Sequence, residues 1–142
     1  DLGTWTDGWD GYPLSRQKVL QQMQAAKLRN PVFAGGDLHC AIVADVPGDP
    51  ARRDSAPIAS EFVGTSLSAD ARPQEYYSAL QPENPHLHQL RSDQRGYALL
   101  DFHRERLEAT LQVVKDVKVR EAEFEVQARY VVEDGRPGPR PA

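Results

Sequence analysis

The sequence predicts a layered α/β or α+β domain, a sheet with helix cover on one side continued by a meander of antiparallel strands. Three observations predict it. An apolar stripe at helical spacing runs from Leu14 to Leu28, two short apolar runs flank Gly35-Gly36, and the last third alternates apolar and polar residues with period two.

A chain of 142 residues corresponds to one domain. Ten Gly and 11 Pro imply a turn-rich chain and argue against a helical bundle. A net charge of −4 argues against nucleic acid as a partner, since that binding is led by Lys and Arg facing phosphates. No apolar stretch approaches the roughly 20 residues needed to span a bilayer, and no basic segment followed by an apolar one marks an export signal. The first residue is Asp1 and not Met, so a processed product or a fragment is expected. The single Cys40 excludes an internal disulfide.

The elements follow in order. Asp1 to Pro13 reads as a loop whose aromatics, Trp5, Trp9 and Tyr12, prefer to be covered. Pro13 suits the first turn of a helix, where its missing N–H costs nothing. From Leu14 to Leu28, Val19, Leu20, Met23 and Ala26 form the apolar side, and Arg16, Gln17, Lys18, Gln21 and Gln22 the wet side. Asn30-Pro31 ends this helix. Pro31 to Ala34 reads as a buried strand, Gly35 to His39 as a turn, and Ala41 to Ala44 as a second strand. Val46 to Pro57 is a surface loop, Pro57 to Gly64 another strand, and Tyr76 to Leu80 about one helical turn. Strands are expected around Leu87 to Arg91, Gly96 to His103, Leu107 to Val113 and Phe124 to Val132, the last two with one strictly apolar face. Residues 133–142 carry Gly and Pro and are expected to form a flexible tail.

Asp37 and His39 stand out as chemistry-bearing residues. Side chains two apart in an extended segment point the same way, so the pair would present one oxygen and one nitrogen donor to a metal. The plainer alternative is a turn Asp capping amides and a His held in a polar pocket. Trp9, Asp10 and Tyr12 either line a substrate entrance or seal the first helix to the sheet. His86 and His88 fall on one face of a strand, with His86 a phosphate-contacting candidate or an ordinary core-edge histidine. Arg95 is a phosphate-binding candidate, or a strand-end ion pair. Glu61 could orient a ligand histidine from behind. Ser60 and Ser66 are discounted as nucleophiles, because neither sits in a nucleophile elbow with a partnered base.

Six phrases, in order along nearly the whole chain, resemble the carboxy-terminal part of the PhoD-like metallophosphatases, the alkaline phosphatase D and phosphodiesterase family. They are Trp9-Asp10-Gly11-Tyr12-Pro13, Gly36-Asp37-Leu38-His39, Glu61-Phe62-Val63-Gly64-Thr65-Ser66, Asn84-Pro85-His86, Arg95-Gly96-Tyr97 and Val131 to Gly138. The resemblance implies a calcineurin-like sandwich of two mixed sheets flanked by helices, of which residues 1–142 supply the carboxy-terminal portion. It further implies iron with calcium as cofactors, a small-molecule or lipid phosphate ester as substrate, and an extracellular or periplasmic location. Asp37 and His39 match two of the family's metal ligands. The family's other ligands, in a Cys-Tyr pair, an Asp-Tyr pair and an Asp-His loop, have no counterpart in this chain. Cys40 stands where relatives usually carry a small residue.

Two functions follow as expectations. The first is metal-dependent hydrolysis of phosphate esters by the intact parent, with this chain supplying part of the metal site and inactive alone. The second is a non-catalytic β-rich module that binds a partner or self-associates through an exposed sheet edge.

Overall fold

The computed structural model describes residues 6–52 and 54–142, so Trp5 lies outside the described residues. A 3-10 turn at Trp9–Gly11 leads into helix α1, Pro13–Ala25, with Pro13 at its first position. Strands β1 (Val32–Gly35), β2 (Ala41–Pro47) and β3 (Pro57–Val63) precede helix α2 (Gln74–Leu80). After a 3-10 turn at Gln81–Glu83 come β4 (Leu87–Arg91), β5 (Arg95–Phe102), β6 (Arg106–Val114), β7 (Phe124–Glu133) and β8 (Arg140–Pro141).

The strands form two four-stranded sheets, ordered β1-β3-β2-β4 and β5-β6-β7-β8. Among the described residues only β1 and β3 run parallel; the other pairs are antiparallel. Val43 and Phe62 of the first sheet meet Leu107, Leu111, Tyr130 and Val132 of the second in the main core. Leu20 of α1 packs with Val46 and Ala59 in a smaller cluster that includes Phe33 and Met23. The layers are therefore helix, mixed sheet, antiparallel sheet, in keeping with the α/β class. Full burial of each large core side chain is worth about 1.5–3 kcal/mol.

Four local expectations change. The strand around Val32 is half-buried to exposed, because β1 is the outermost strand of its sheet among the described residues. Helix α1 stops at Ala25, three residues early, with Lys27 left-handed at φ 51°. Lys27 N–H bonds to Gln24 C=O at 3.0 Å and Leu28 N–H to Met23 C=O at 3.2 Å, the paired closing bonds of a Schellman motif. Leu28 is consequently 55% exposed and outside the apolar stripe.

The third change is in β7. Leu111 pairs with Ala128 but Gln112 with Val126, so Gln127 is an extra residue in the strand. Past this bulge the faces exchange: Tyr130 and Val132 are buried, whereas Phe124 and Val126 face outward. Gln127, with Glu125, instead joins a polar seam through Gln94, which Gln89 extends from the first sheet.

The fourth is the carboxy terminus, expected to be loose. Asn30 holds the turn after β7, its amide donating to Glu133 C=O and its Oδ1 accepting from Gly135 N–H at 2.8 Å. Gly138 N–H donates to the buried Ser60 hydroxyl at 3.1 Å, Pro139 is fully buried, and β8 pairs with β7. Gly138 has φ +103°, and a Cβ there would lie 2.6 Å from Asp45 Oδ1, so only glycine suits it.

Candidate metal half-site and the cleft beside it

Strand β1 ends at Gly35, whose C=O accepts from Gly64 N–H at 3.0 Å. The next residues are not extended, so strand alternation does not orient Asp37 and His39 as the sequence reading assumed. Leu38 N–H bonds back to Gly36 C=O at 2.9 Å with Asp37 between them at φ 71°. That is a γ-turn of the rare, strained hand. His39 follows at φ 56°, in the left-handed region. Asp and His enter that region more readily than most residues, yet each such residue still costs of order 1–3 kcal/mol.

The surroundings hold this turn from several directions. Thr65 Oγ1 and Arg95 Nη1 each donate to the His39 C=O at 3.2 Å. Tyr77 donates its hydroxyl proton to Leu38 C=O at 3.3 Å. Cys40, fully buried, anchors the exit into β2, and burial raises its thiol pKa above the ordinary value. Tyr77, pushed up to about 12 chiefly by burial, stays a protonated donor.

The ring of His39 is fixed as well. Its Nδ1 lies 2.7 Å from the Asp70 C=O. A carbonyl can only accept, so Nδ1 carries the proton and the neutral ring keeps its lone pair on Nε2. A metal-ligating histidine is oriented in this way by the partner of its other nitrogen. Asp37 is exposed. The two residues fit a metal in donor chemistry, one hard oxygen and one imidazole nitrogen. They do not complete a site, because among the described residues no three His, Cys, Asp or Glu side chains gather closely enough to hold an ion.

A second feature lies between α1 and the first sheet. A cavity of about 50 Å³ is lined by Trp9, Arg16, Phe33, Glu61 and His86, among others. Phe33 and Glu61 are register partners in β1 and β3, and Phe33 precedes Asp37 by four residues, at most about 14 Å of chain. Burial raises the Glu61 carboxyl, with Arg16 partly offsetting it. Burial also lowers the His86 imidazole, helped by the Arg16 charge. Asp10 contacts Arg16 at 3.4 Å.

The sequence-predicted residues thus divide between two places. Trp9, Glu61 and His86 line the cleft, with Asp10 at its Arg16, while Tyr12 is 60% exposed at the start of α1. Among the described residues Glu61 makes no hydrogen bond to His39, whose ring meets the Asp70 main-chain carbonyl instead. His86 precedes β4, and the register skips His88, which pairs with Asp45 at 3.1 Å, so the two histidines do not share a strand face. Arg95 bonds to the His39 main-chain carbonyl. Arg16 was missed, since a single arginine on the wet side of a helix carries no distinguishing signal.

A family model described as PhoD-like phosphatase matches residues 1–111. The chain is 30% identical over 139 residues to alkaline phosphatase D of Bacillus subtilis (strain 168), covering 94% of this chain and 23% of that protein. A solved structure entitled "Structure of PhoD" superposes with a TM-score of 0.84 at 28% identity, over 100% of this chain and 29% of the other. The chain therefore spans under a third of the length of the relatives it matches.

Proposed function

We propose, on the premise that this chain belongs to the PhoD-like phosphatase family, that it is the portion of a phosphoric ester hydrolase that supplies Asp37 and His39 to a metal centre. The observation that carries this reading is the strained Gly36–His39 turn, held so that His39 offers Nε2. Strained, over-determined backbone is retained where a function needs it. Iron together with calcium is the metal content proposed, and an extracellular or periplasmic location goes with it. No helix among the described residues is long and apolar enough to cross a membrane.

Bound metal ions would supply Lewis acidity to the phosphoryl oxygens and to the attacking water. This chain's own contribution is placement. Asp37 provides a carboxylate, and His39 an imidazole whose other nitrogen is already engaged. The neighbouring cleft, with Arg16 as cation and Trp9 as aromatic wall, would receive the ester's organic part. The remaining metal donors would come from parts of the family fold that this chain does not contain, so the chain by itself would be inactive. Monoesters, diesters and phospholipids all fit this chemistry.

The test uses the full-length natural protein carrying Asp37→Asn or His39→Ala, assayed for bound metal and for hydrolysis of chromogenic phosphomonoesters and diesters. Each variant is expected to lose at least about a hundredfold in kcat together with metal. Undiminished turnover in both refutes the assignment. A second reading, that the chain serves as a self-associating β module, draws on one observation: Tyr97, Leu99, Phe124 and Val126 are exposed on the second sheet.

A further inference from the structure

We propose that Arg95 is a positioning residue for the ligand turn, acting through the main chain of His39 and not on the phosphate. This rests on the reading of Asp37 and His39 as metal donors. Arg95 Nη1 shares its two N–H protons among three acceptors, His39 C=O at 3.2 Å, Ser66 Oγ at 2.9 Å and Ala69 C=O at 3.1 Å. Nη2 donates to Ser92 C=O. One guanidinium thus joins the turn to two other stretches of chain, 66–69 and the turn after β4.

The arrangement closes on itself. Arg95 grips Ala69, and the following residue, Asp70, is the one whose carbonyl holds the His39 ring. The main chain and the imidazole of His39 are therefore both referenced to the same short segment, with Arg95 setting their separation. Arg95 is in turn placed by its neighbour. A Cβ on Gly96 would sit 1.9 Å from Gln112 C=O, so glycine lets β5 approach β6 closely, and Gly96 N–H ties back to Ser66 C=O at 3.0 Å. A planar guanidinium reaches several oxygens in fixed directions, which the single ammonium of lysine does not. An arginine that recognises phosphate needs its fork turned outward; here both terminal nitrogens face protein oxygens.

The experiment compares Arg95→Lys, Thr65→Val and His39→Ala with the native full-length protein. Three quantities are read: Zn2+ affinity of the metal-free protein, amide hydrogen exchange over residues 36–40 without metal, and the split between kcat and KM on a phosphomonoester. His39→Ala should weaken Zn2+ binding at this site by at least about a hundredfold. Arg95→Lys should bind Zn2+ about 10–100-fold more weakly, exchange faster over 36–40, and lose kcat with KM unchanged within about twofold. Thr65→Val, which removes a hydroxyl shared between the His39 and Gln94 carbonyls, should move all three in the same direction by less, and keeps the test decisive should Arg95→Lys not fold. A rise in KM with metal affinity and exchange unaltered in Arg95→Lys overturns the positioning role alone. Zn2+ affinity in His39→Ala equal to that of the native protein overturns the half-site reading and this proposal with it.

Discussion

Glu61 is a residue whose surroundings disfavour its charge. Burial beneath α1 raises its carboxyl pKa in the folded chain, so the folded state holds this proton more tightly than the unfolded one. That contribution is greatest below the ordinary carboxylate range and is lost as pH rises through the raised value. Glu61→Gln removes the loss, so its urea midpoint relative to the native chain should improve more at pH 7 than at pH 4; an equal difference at both would contradict the assignment. His86, with its pKa lowered by burial, runs the opposite way: its contribution is lost as pH falls below the ordinary imidazole range. At this scale the sequence showed residue types and hid their geometry. Gly36-Asp37-Leu38-His39 was readable as a glycine turn carrying an acid and an imidazole, but the γ-turn that shapes it was not, because it depends on carbonyl contacts to Thr65, Tyr77 and Arg95 far along the chain. The Asp70 carbonyl that orients His39 was equally hidden, since every residue has one.

Among the elements, the end of α1 stores correctable strain. Lys27 occupies the left-handed position of a Schellman motif that glycine usually fills. Lys27→Gly should stabilise the chain by about 0.5–1 kcal/mol, measured by chemical denaturation. Gly138 is the converse case. Gly138→Ala would force a Cβ against Asp45 at a backbone angle alanine avoids, and should cost at least about 2 kcal/mol, with β8 losing amide protection first. The strands of the last third were legible because β6 alternates without a break, buried at Leu107, Ala109, Leu111 and Val113. In β7 the same pattern misled: counting by twos put Phe124 and Val126 inside, and the extra Gln127 turned them out. The order of residues 133–142 was hidden too, because proline and glycine look alike in a loop and in a stretch fitted onto a sheet.

For the molecule as a whole, the two-sheet sandwich leaves the outer side of the second sheet uncovered. Tyr97 and Phe124 rings lie 6.3 Å apart there, and Phe124 is 63% and Leu99 55% exposed. Apolar surface of this kind drives association. The 142-residue chain should therefore show concentration-dependent self-association by light scattering, relieved by Phe124→Asp; a monodisperse monomer at high concentration would count against it. The layered class could be read from periodicity alone, since helix and strand patterns set which faces must be covered. The pairing of sheets could not, because it is settled by contacts between distant segments.

Asn30 bridges the approach to β1 and the turn following β7, partners more than a hundred positions apart. Loop closure over such a separation is entropically costly and slow. β1 is already joined to β3 by residues close along the chain, so this second fastening adds a link to a far later segment. The base of the Gly36–His39 turn is thereby anchored from two sides, by a neighbouring strand and by a remote bend, so slackening either one alone should leave it in place.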